Sequence, residues 1–155
     1  MCERLGTRIR SVVLSLFFCG IVGGLAGCND TAAKISQESS NLKPLMVLYG
    51  QYVGTHRGQP PANEAEFKAY VKALDPAALK SLGVTDVDGL FVSSRDNKPY
   101  VILYGPASGP PGPAGQPVIA YEQEGVAGKR YVASTLGAVE EVDPARFQEL
   151  VPNAR

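Results

Sequence analysis

The chain has 155 residues, of which 45% are hydrophobic and 19% charged, enough for one globular domain but short for two. Fifteen basic and fifteen acidic residues cancel, so no strong overall field attracts nucleic acid, and nucleic-acid binding is not expected. The 17 glycines and 12 prolines exceed average usage without reaching the level of a disordered chain. This composition predicts a folded domain with many loops.

The first 27 residues have the pattern of a secretory signal peptide. Arg4, Arg8 and Arg10 make a basic start, and residues 12–24 are mostly apolar and carry no charge. This run is shorter than the ~20 apolar residues that span a bilayer as a helix. We therefore expect the segment 1–27 to be removed rather than to stay as a membrane span.

The leader ends in Leu25-Ala26-Gly27-Cys28. These four residues resemble the lipobox of bacterial lipoproteins at every position, which implies cleavage before Cys28 and acylation of its thiol. Cys2 and Cys19 lie within the leader, so the processed chain keeps Cys28 alone and has no internal disulfide or zinc-binding cysteine cluster. The resemblance implies attachment to the membrane through lipid on Cys28, outside the cytoplasm, in either the inner or the outer membrane.

Two other interpretations of the leader are weaker. An ordinary signal peptide cut near Gly27 would leave Cys28 as a free thiol. A type IV prepilin leader would be cut after Gly6, but that family has a Glu five residues after the cut, where this chain has Ser11, and its apolar stretch begins at once.

Residues 28–41 are rich in Ser, Ala, Gln and Thr and are predicted to form a flexible tether. Loss of the leader removes three basic residues and one acidic residue from the fifteen of each, so the processed chain has a net charge of −2. Residues 42–155 are predicted to form one globular domain.

The first half of this domain has the apolar periodicity of helices. Asn41 is a candidate N-cap for the first helix, and Asn63 with Glu66 forms a capping-box pattern before the second. Pro76 is placed to begin a third, short helix. The predicted helices cover about residues 42–57, 63–74 and 76–82.

After Gly83 the pattern changes to short strands separated by turn residues. Short connections such as 125–128 favour antiparallel neighbours, and the Gly- and Pro-rich residues 105–117 are predicted to form a stiff, exposed loop between two strands. The fold class is therefore α+β, with N-terminal helices packed on a small antiparallel β-meander and a short C-terminal helix. The strands are predicted at 90–92, 100–104, 118–122, 129–134 and 138–142, and the last helix at 144–150.

Several motifs of this domain recur in one family. Residues 52–61 read YVGTHRGQPP, and later segments read DGLF, KPYV, AYE, GKRYV and GAV. In this order they resemble the globular portion of the pilin- and pseudopilin-like proteins of planctomycete-type bacteria, which implies a helix packed on an antiparallel meander. Those proteins assemble through a retained apolar N-terminal helix. The processing expected here removes the apolar segment, so the resemblance implies the fold and leaves filament assembly open.

His56 is the only histidine, which excludes a two-histidine metal site within one chain. As a general base it would need a nucleophile and an orienting carboxylate beside it. Ser93, Ser94 and Ser134 could supply the nucleophile, but none lies in a Gly-x-Ser-x-Gly motif. We therefore expect His56 to stabilise a turn or to be exposed.

Residues 86–89 read DVDG and begin like a calcium-binding loop. The register does not fit an EF-hand, because Phe91 stands where the loop needs Gly and Asn97 where it needs Glu. We expect a turn that leads into a strand instead.

Paired carboxylates can act as acid and base in glycoside hydrolysis. In polar-faced strands, however, we expect such pairs to be solvated. The pairs are Glu122 with Glu124 and Glu140 with Glu141.

Together these features predict a lipid-anchored protein of the cell envelope whose domain is a non-catalytic binding or structural component. No cofactor or metal is expected, and the partner and the oligomeric state stay open. One alternative is an envelope hydrolase that uses His56 with a serine or carboxylate that the fold brings near. The other is a small-ligand-binding module with four tyrosines on one open sheet face: Tyr100, Tyr104, Tyr121 and Tyr131.

Overall fold

The computed structural model describes residues 40–107, 109–135 and 137–154. The predicted leader (1–27), Cys28 and the tether up to residue 39 lie outside the described residues. The helices are α1 (Leu42–Thr55), α2 (Glu64–Lys72), α3 (Pro76–Ser81), α4 (Val87–Leu90) and α5 (Pro144–Leu150), with one 3-10 turn at Pro113–Gly115. The strands are β1 (Val101–Ile102), β2 (Val118–Tyr121), β3 (Arg130–Ser134) and β4 (Val139–Val142).

The four strands form one sheet in the order β1-β2-β3-β4, and every neighbouring pair is antiparallel. Helices cover this sheet on both sides: α1 contacts β2 and β3 on one face, while α5 contacts β3 and β4 on the other. The predicted α+β fold with an antiparallel meander is confirmed. Within the described residues, no helix combines the length and the apolarity needed to cross a membrane.

A bulge in β2 decides which side chains face which helix. The register to β3 shifts between Val118 and Ala120, so Ile119 and Ala120 both belong to the core under α1. Tyr121 then belongs to the core under α5, where its ring centroid lies 5.2 Å from that of Phe147. Because a one-residue shift moves every later side chain to the other face, the bulge fixes the orientation of the residues that follow.

Helix α1 lies close to the sheet because of a glycine. A Cβ atom on Gly50 would lie 2.8 Å from the carbonyl oxygen of Thr135, which is too close for any other residue. The buried face of α1 can therefore pack tightly on the sheet and on α2; it consists of Leu42, Leu45, Met46, Leu48, Tyr49 and Tyr52.

The start of α1 differs from the prediction. Asn41 has helical backbone angles (φ −63°, ψ −13°), and its side chain caps no helix but donates to the carbonyls of Gly89 and Val92, at 3.0 and 3.2 Å. Instead, the hydroxyl of Ser40 accepts a bond from the Leu42 amide at 3.2 Å. Ser40 and Asn41, assigned to the tether by the sequence, are thus part of the folded domain.

The predicted starts of the next two helices are confirmed. Asn63 accepts a bond from the Glu66 amide at 3.0 Å, and Glu66 in turn accepts one from the Ala62 amide at 2.8 Å. At α3, the carboxylate of Asp75 accepts from the Ala77 amide at 2.9 Å. These side chains satisfy amides that have no partner within the helix.

The predicted strand at 90–92 is wrong. Asp86 accepts a bond from the Asp88 amide at 3.0 Å and caps the short helix α4 (Val87–Leu90), so the DVDG segment is a helix start and not a turn into a strand. Beyond α4, Val92 makes an isolated antiparallel bridge with Pro99. Leu90 and Phe91 are buried in the core under α1 and do not belong to the sheet.

The Gly- and Pro-rich segment joins β1 to β2 as predicted, but it is not exposed throughout. Pro113 is buried in the 3-10 turn, and a Cβ on Gly112 would lie 3.0 Å from a methyl group of Val118. This end of the segment therefore packs against β2.

The hairpin between β2 and β3 ends in a two-residue turn with an unfavourable residue. Val126 and Lys129 exchange backbone hydrogen bonds at 2.9 and 3.0 Å, and the residues between them, Ala127 and Gly128, have φ of 52° and 78°. This is the geometry of a type I′ turn, which favours Asn-Gly. The left-handed backbone conformation of Ala127 is less favourable for Ala than for Asn or Gly and destabilises the turn.

We predict that Ala127→Asn raises the free energy of unfolding by about 0.5 kcal/mol, because Asn tolerates the left-handed region better than Ala. Urea denaturation of the purified protein measures this change. Ala107→Asn is the matched control, since Ala107 is also exposed but does not have a positive φ. An equal rise in both variants would contradict the explanation.

Candidate functional site

A buried carboxylate lies directly after β2. The side chain of Glu122 is 0% exposed and accepts bonds from the Ser93 hydroxyl and the Tyr131 amide, both at 2.8 Å. Successive side chains of a strand point to opposite faces of the sheet. Tyr121 points toward α5, so Glu122 points to the other face, on which Tyr131 lies. The prediction that Glu122 is solvated is therefore wrong, because Ser93, Arg95 and β3 enclose its carboxylate.

Arg95 pairs with this carboxylate from a segment that folds over it. Its Nη1 lies 3.4 Å from Glu122 Oε2, and its Nη2 donates to Glu141 Oε1 at 2.8 Å. The guanidinium also lies over the ring of Tyr131, 4.0 Å from the centroid. The cation is thus shared between two carboxylates and an aromatic ring, which offsets the cost of its partial burial.

We call residues 93–98 the 93–98 loop. Asp96 ties it to the β2–β3 hairpin by accepting bonds from the amides of Glu124 (3.2 Å) and Gly125 (2.8 Å). Burial acts to raise the pKa of Asp96, but these two amides and that of Lys98 outweigh it, so the pKa lies below its ordinary value. Asp96 therefore stabilises the fold most above the ordinary aspartate pKa and ceases to do so as the pH falls through the lowered value.

The side chains at the centre of this cluster are buried and hold the fold together, whereas Ser94 in the same loop is exposed. Ser93 is 1% exposed and Ser134 is 0% exposed, so two of the three candidate nucleophiles cannot reach a substrate in this conformation. Ser93 already donates to Glu122 and accepts from the Arg95 amide at 3.1 Å. Its hydroxyl is used in positioning the 93–98 loop.

His56 lies at the end of α1, as predicted, on an exposed turn. Its ring stacks on Tyr52 with centroids 3.8 Å apart and an interplanar angle of 3°. Nδ1 lies 2.8 Å from the Tyr52 carbonyl and 3.0 Å from the Thr55 hydroxyl. No Ser, Asp or Glu side chain in the described ranges hydrogen-bonds to this ring, so the serine or carboxylate that the hydrolase interpretation requires is not bonded to His56.

The nearest titratable pair to His56 is Tyr52 with Glu66. The Tyr52 hydroxyl donates to Glu66 Oε1 at 2.5 Å. This bond, followed by burial, raises the pKa of Tyr52. It also lowers the pKa of Glu66, aided by the Ala62 amide and the nearby His56 charge and opposed by burial.

The four tyrosines of the predicted binding face do not share an open surface. Tyr100 and Tyr131 are buried in the core under α1, whereas Tyr121 is buried in the core under α5. Tyr104 is half-buried against the first of these cores. The interpretation of these rings as an exposed ligand platform is wrong, because both faces of the sheet are covered by helices.

A cleft of about 350 Å³ lies between the end of α1 and the loop after β1. Apolar and uncharged residues line it, including Tyr49, Pro60, Pro106 and Ile119. Burial raises the pKa of Tyr49 to about 12, and its hydroxyl donates to the Leu103 carbonyl at 3.3 Å. The cleft offers apolar contact and no charged side chain.

The acidic side chains of the described residues do not form a metal site. Over 40–107, 109–135 and 137–154, no three His, Cys, Asp or Glu side chains converge in a way that could hold an ion. Asp88, in the segment that begins like a calcium loop, pairs with Lys72 at 3.1 Å.

Comparison of this chain with protein-family models, with curated proteins and with solved structures gives no match.

We predict that Glu122→Ala lowers the free energy of unfolding by about 3 kcal/mol, because the Ser93 hydroxyl and the Tyr131 amide lose their acceptor and Arg95 keeps only Glu141 as a carboxylate partner. Urea denaturation measures the loss. Glu140→Ala is the control, since Glu140 is an exposed carboxylate on β4 of the same sheet. Losses of similar size in the two variants would contradict the assignment.

We also predict that Tyr52→Phe raises the pKa of Glu66 toward its ordinary value, because the largest cause of its lowering is lost. An NMR titration of the Glu66 side-chain carboxyl carbon measures the shift. Tyr70→Phe keeps the Tyr52–Glu66 bond and serves as the control, since the Tyr70 ring packs on Tyr52 with centroids 5.1 Å apart. An unchanged Glu66 titration in Tyr52→Phe would exclude this bond as the cause.

Proposed function

We propose that this protein is a lipid-anchored component of a bacterial cell envelope, located outside the cytoplasm, whose α+β domain has a non-catalytic binding or structural role. The observation that carries the proposal is the tetrapeptide Leu25-Ala26-Gly27-Cys28 at the end of a basic and then apolar leader. Acyl chains on Cys28 would hold the domain at the bilayer, since each buried CH2 contributes about 0.8 kcal/mol.

The position of the folded domain supports this arrangement. Ser40, the first described residue, is 3% exposed and lies 12 positions after Cys28 in the sequence. At ~3.5 Å per residue, the intervening chain spans at most about 40 Å. A tether of this length would keep the domain near the bilayer while leaving its surface free to meet a partner.

The contacts of the polar side chains support a role without catalysis. Ser93 and Glu122 are buried and bonded to each other, and His56 is bonded to its own helix end. The hydrolase alternative would need His56 beside a nucleophile, and the described contacts do not favour it. In this proposal the domain acts through its surface.

Metabolic labelling with radioactive palmitate tests the anchor. In a bacterium that expresses the full chain, we expect label on the wild-type protein and on Cys19→Ser, but none on Cys28→Ser. Cys19 is the matched control because it is a cysteine of the leader that the processed chain would lose. Label retained in Cys28→Ser, or missing from the wild type, would contradict the proposal.

A further inference from the structure

The 93–98 loop is the tip of a small hairpin whose base is fixed in the core. Phe91 and Tyr100 are 4% and 6% exposed, and the Tyr100 amide donates to the Phe91 carbonyl at 2.9 Å. The tip closes on itself through the Ser93 amide, which donates to the Lys98 carbonyl at 2.9 Å. The base and the tip are thus held in different ways.

Carboxylates take part in the hydrogen bonds and ion pairs that dock this tip on the sheet. Three of them, Glu122, Glu124 and Glu141, belong to the sheet and its β2–β3 hairpin, and Asp96 belongs to the loop. The contacts are Ser93 and Arg95 with Glu122, Arg95 with Glu141, Asp96 with the amides of Glu124 and Gly125, and Lys98 with Glu124.

Apolar burial contributes little to this docking. Over residues 40–107, 109–135 and 137–154, the two hydrophobic cores include no residue from 93 to 98. The guanidinium of Arg95 also packs over the ring of Tyr131. The 93–98 loop therefore depends on charge, whereas the helices and strands around it depend on apolar packing.

We propose that the 93–98 loop is a lid that opens in acid. Protonation of the carboxylates that dock it, Glu122, Glu141 and Asp96, lets the loop move away from the sheet about the Phe91–Tyr100 base. Both hydrophobic cores stay packed. Release uncovers Glu122 and the ring of Tyr131. A neutral carboxyl at Glu122 loses its attraction to Arg95, and a neutral Asp96 accepts more weakly from two amides. Each lost contact favours the open loop.

The groups that face these carboxylates determine the pH range in which the loop is released. Glu122 faces Arg95 from the loop, the Tyr131 amide from β3 and the nearby Tyr100 hydroxyl from the hairpin base. Asp96 faces backbone amides, with the Lys98–Glu124 ion pair alongside. Because these amides lower the pKa of Asp96 despite its burial, release is complete only below the ordinary aspartate pKa of ~3.9.

Hydrogen–deuterium exchange tests the lid at single amides. The amides of Glu124, Gly125 and Tyr131 donate directly to the docking carboxylates, and those of Leu103 and Phe147 report on the rest of the fold. Protection factors of the full chain in detergent, corrected for intrinsic exchange, are compared between about pH 7 and about pH 3. We expect the three docking amides to lose at least about tenfold in protection while the two reference amides keep theirs.

Two variants imitate the protonated state at neutral pH. Glu122→Gln and Asp96→Asn should each reduce protection of the docking amides at pH 7, and the exposed Glu140→Gln should not. Asp96 is only half-buried, so Asp96→Asn keeps the test available where Glu122→Gln fails to fold. Parallel loss of protection at docking and reference amides would overturn the lid, since the loop would then open only by global unfolding. Unchanged protection between the two pH values would overturn it as well.

Discussion

The carboxylate of Glu122 is the contact on which the arrangement of the second half of the domain depends. It bonds the 93–98 loop through Ser93 and Arg95 and the third strand through the Tyr131 amide. A buried ion that lost these partners would cost several kcal/mol. Glu122 thus joins the 93–98 loop to β3, and its buried carboxylate accepts two hydrogen bonds and faces the Arg95 cation.

The carboxylate of Glu122 lies at the end of a sheet that is packed in a hydrophobic core on each face. Helix α1 and helix α5 cover opposite faces of one four-stranded sheet, so β2 and β3 are buried on both sides and their sequences are nearly continuous runs of apolar residues. The close approach at Gly50 brings α1 onto this sheet. The molecule thus combines two apolar layers with one polar junction at the end of β2.

Local signals in the sequence were sufficient for most elements, because caps and periodicity act over a few residues. The Asn63–Glu66 pattern and Pro144 mark helix starts that the structure has. The errors have non-local causes. Asn41 donates to carbonyls about 50 positions later, and Glu122 is buried against Ser93, 29 positions earlier. Arg95 and Asp96 were missed as members of the cluster because nothing within the Ser-Ser-Arg-Asp-Asn-Lys segment indicates which strand it meets. The signal that could have identified Glu122 is the unbroken apolar run before it, which indicates burial on both faces.

The pairing of Ser40 with Tyr100 joins residues that are 60 positions apart, and the strand partners of α1 lie later still, around Ile119 and Ala133. A ribosome delivers the chain from its amino end, so α1 emerges long before the surface that shields it. Until β2 and β3 have been synthesised, the apolar face of α1 is exposed and can contact other molecules. The apolar face of α1 is therefore exposed during synthesis for as long as the chain up to β3 takes to emerge.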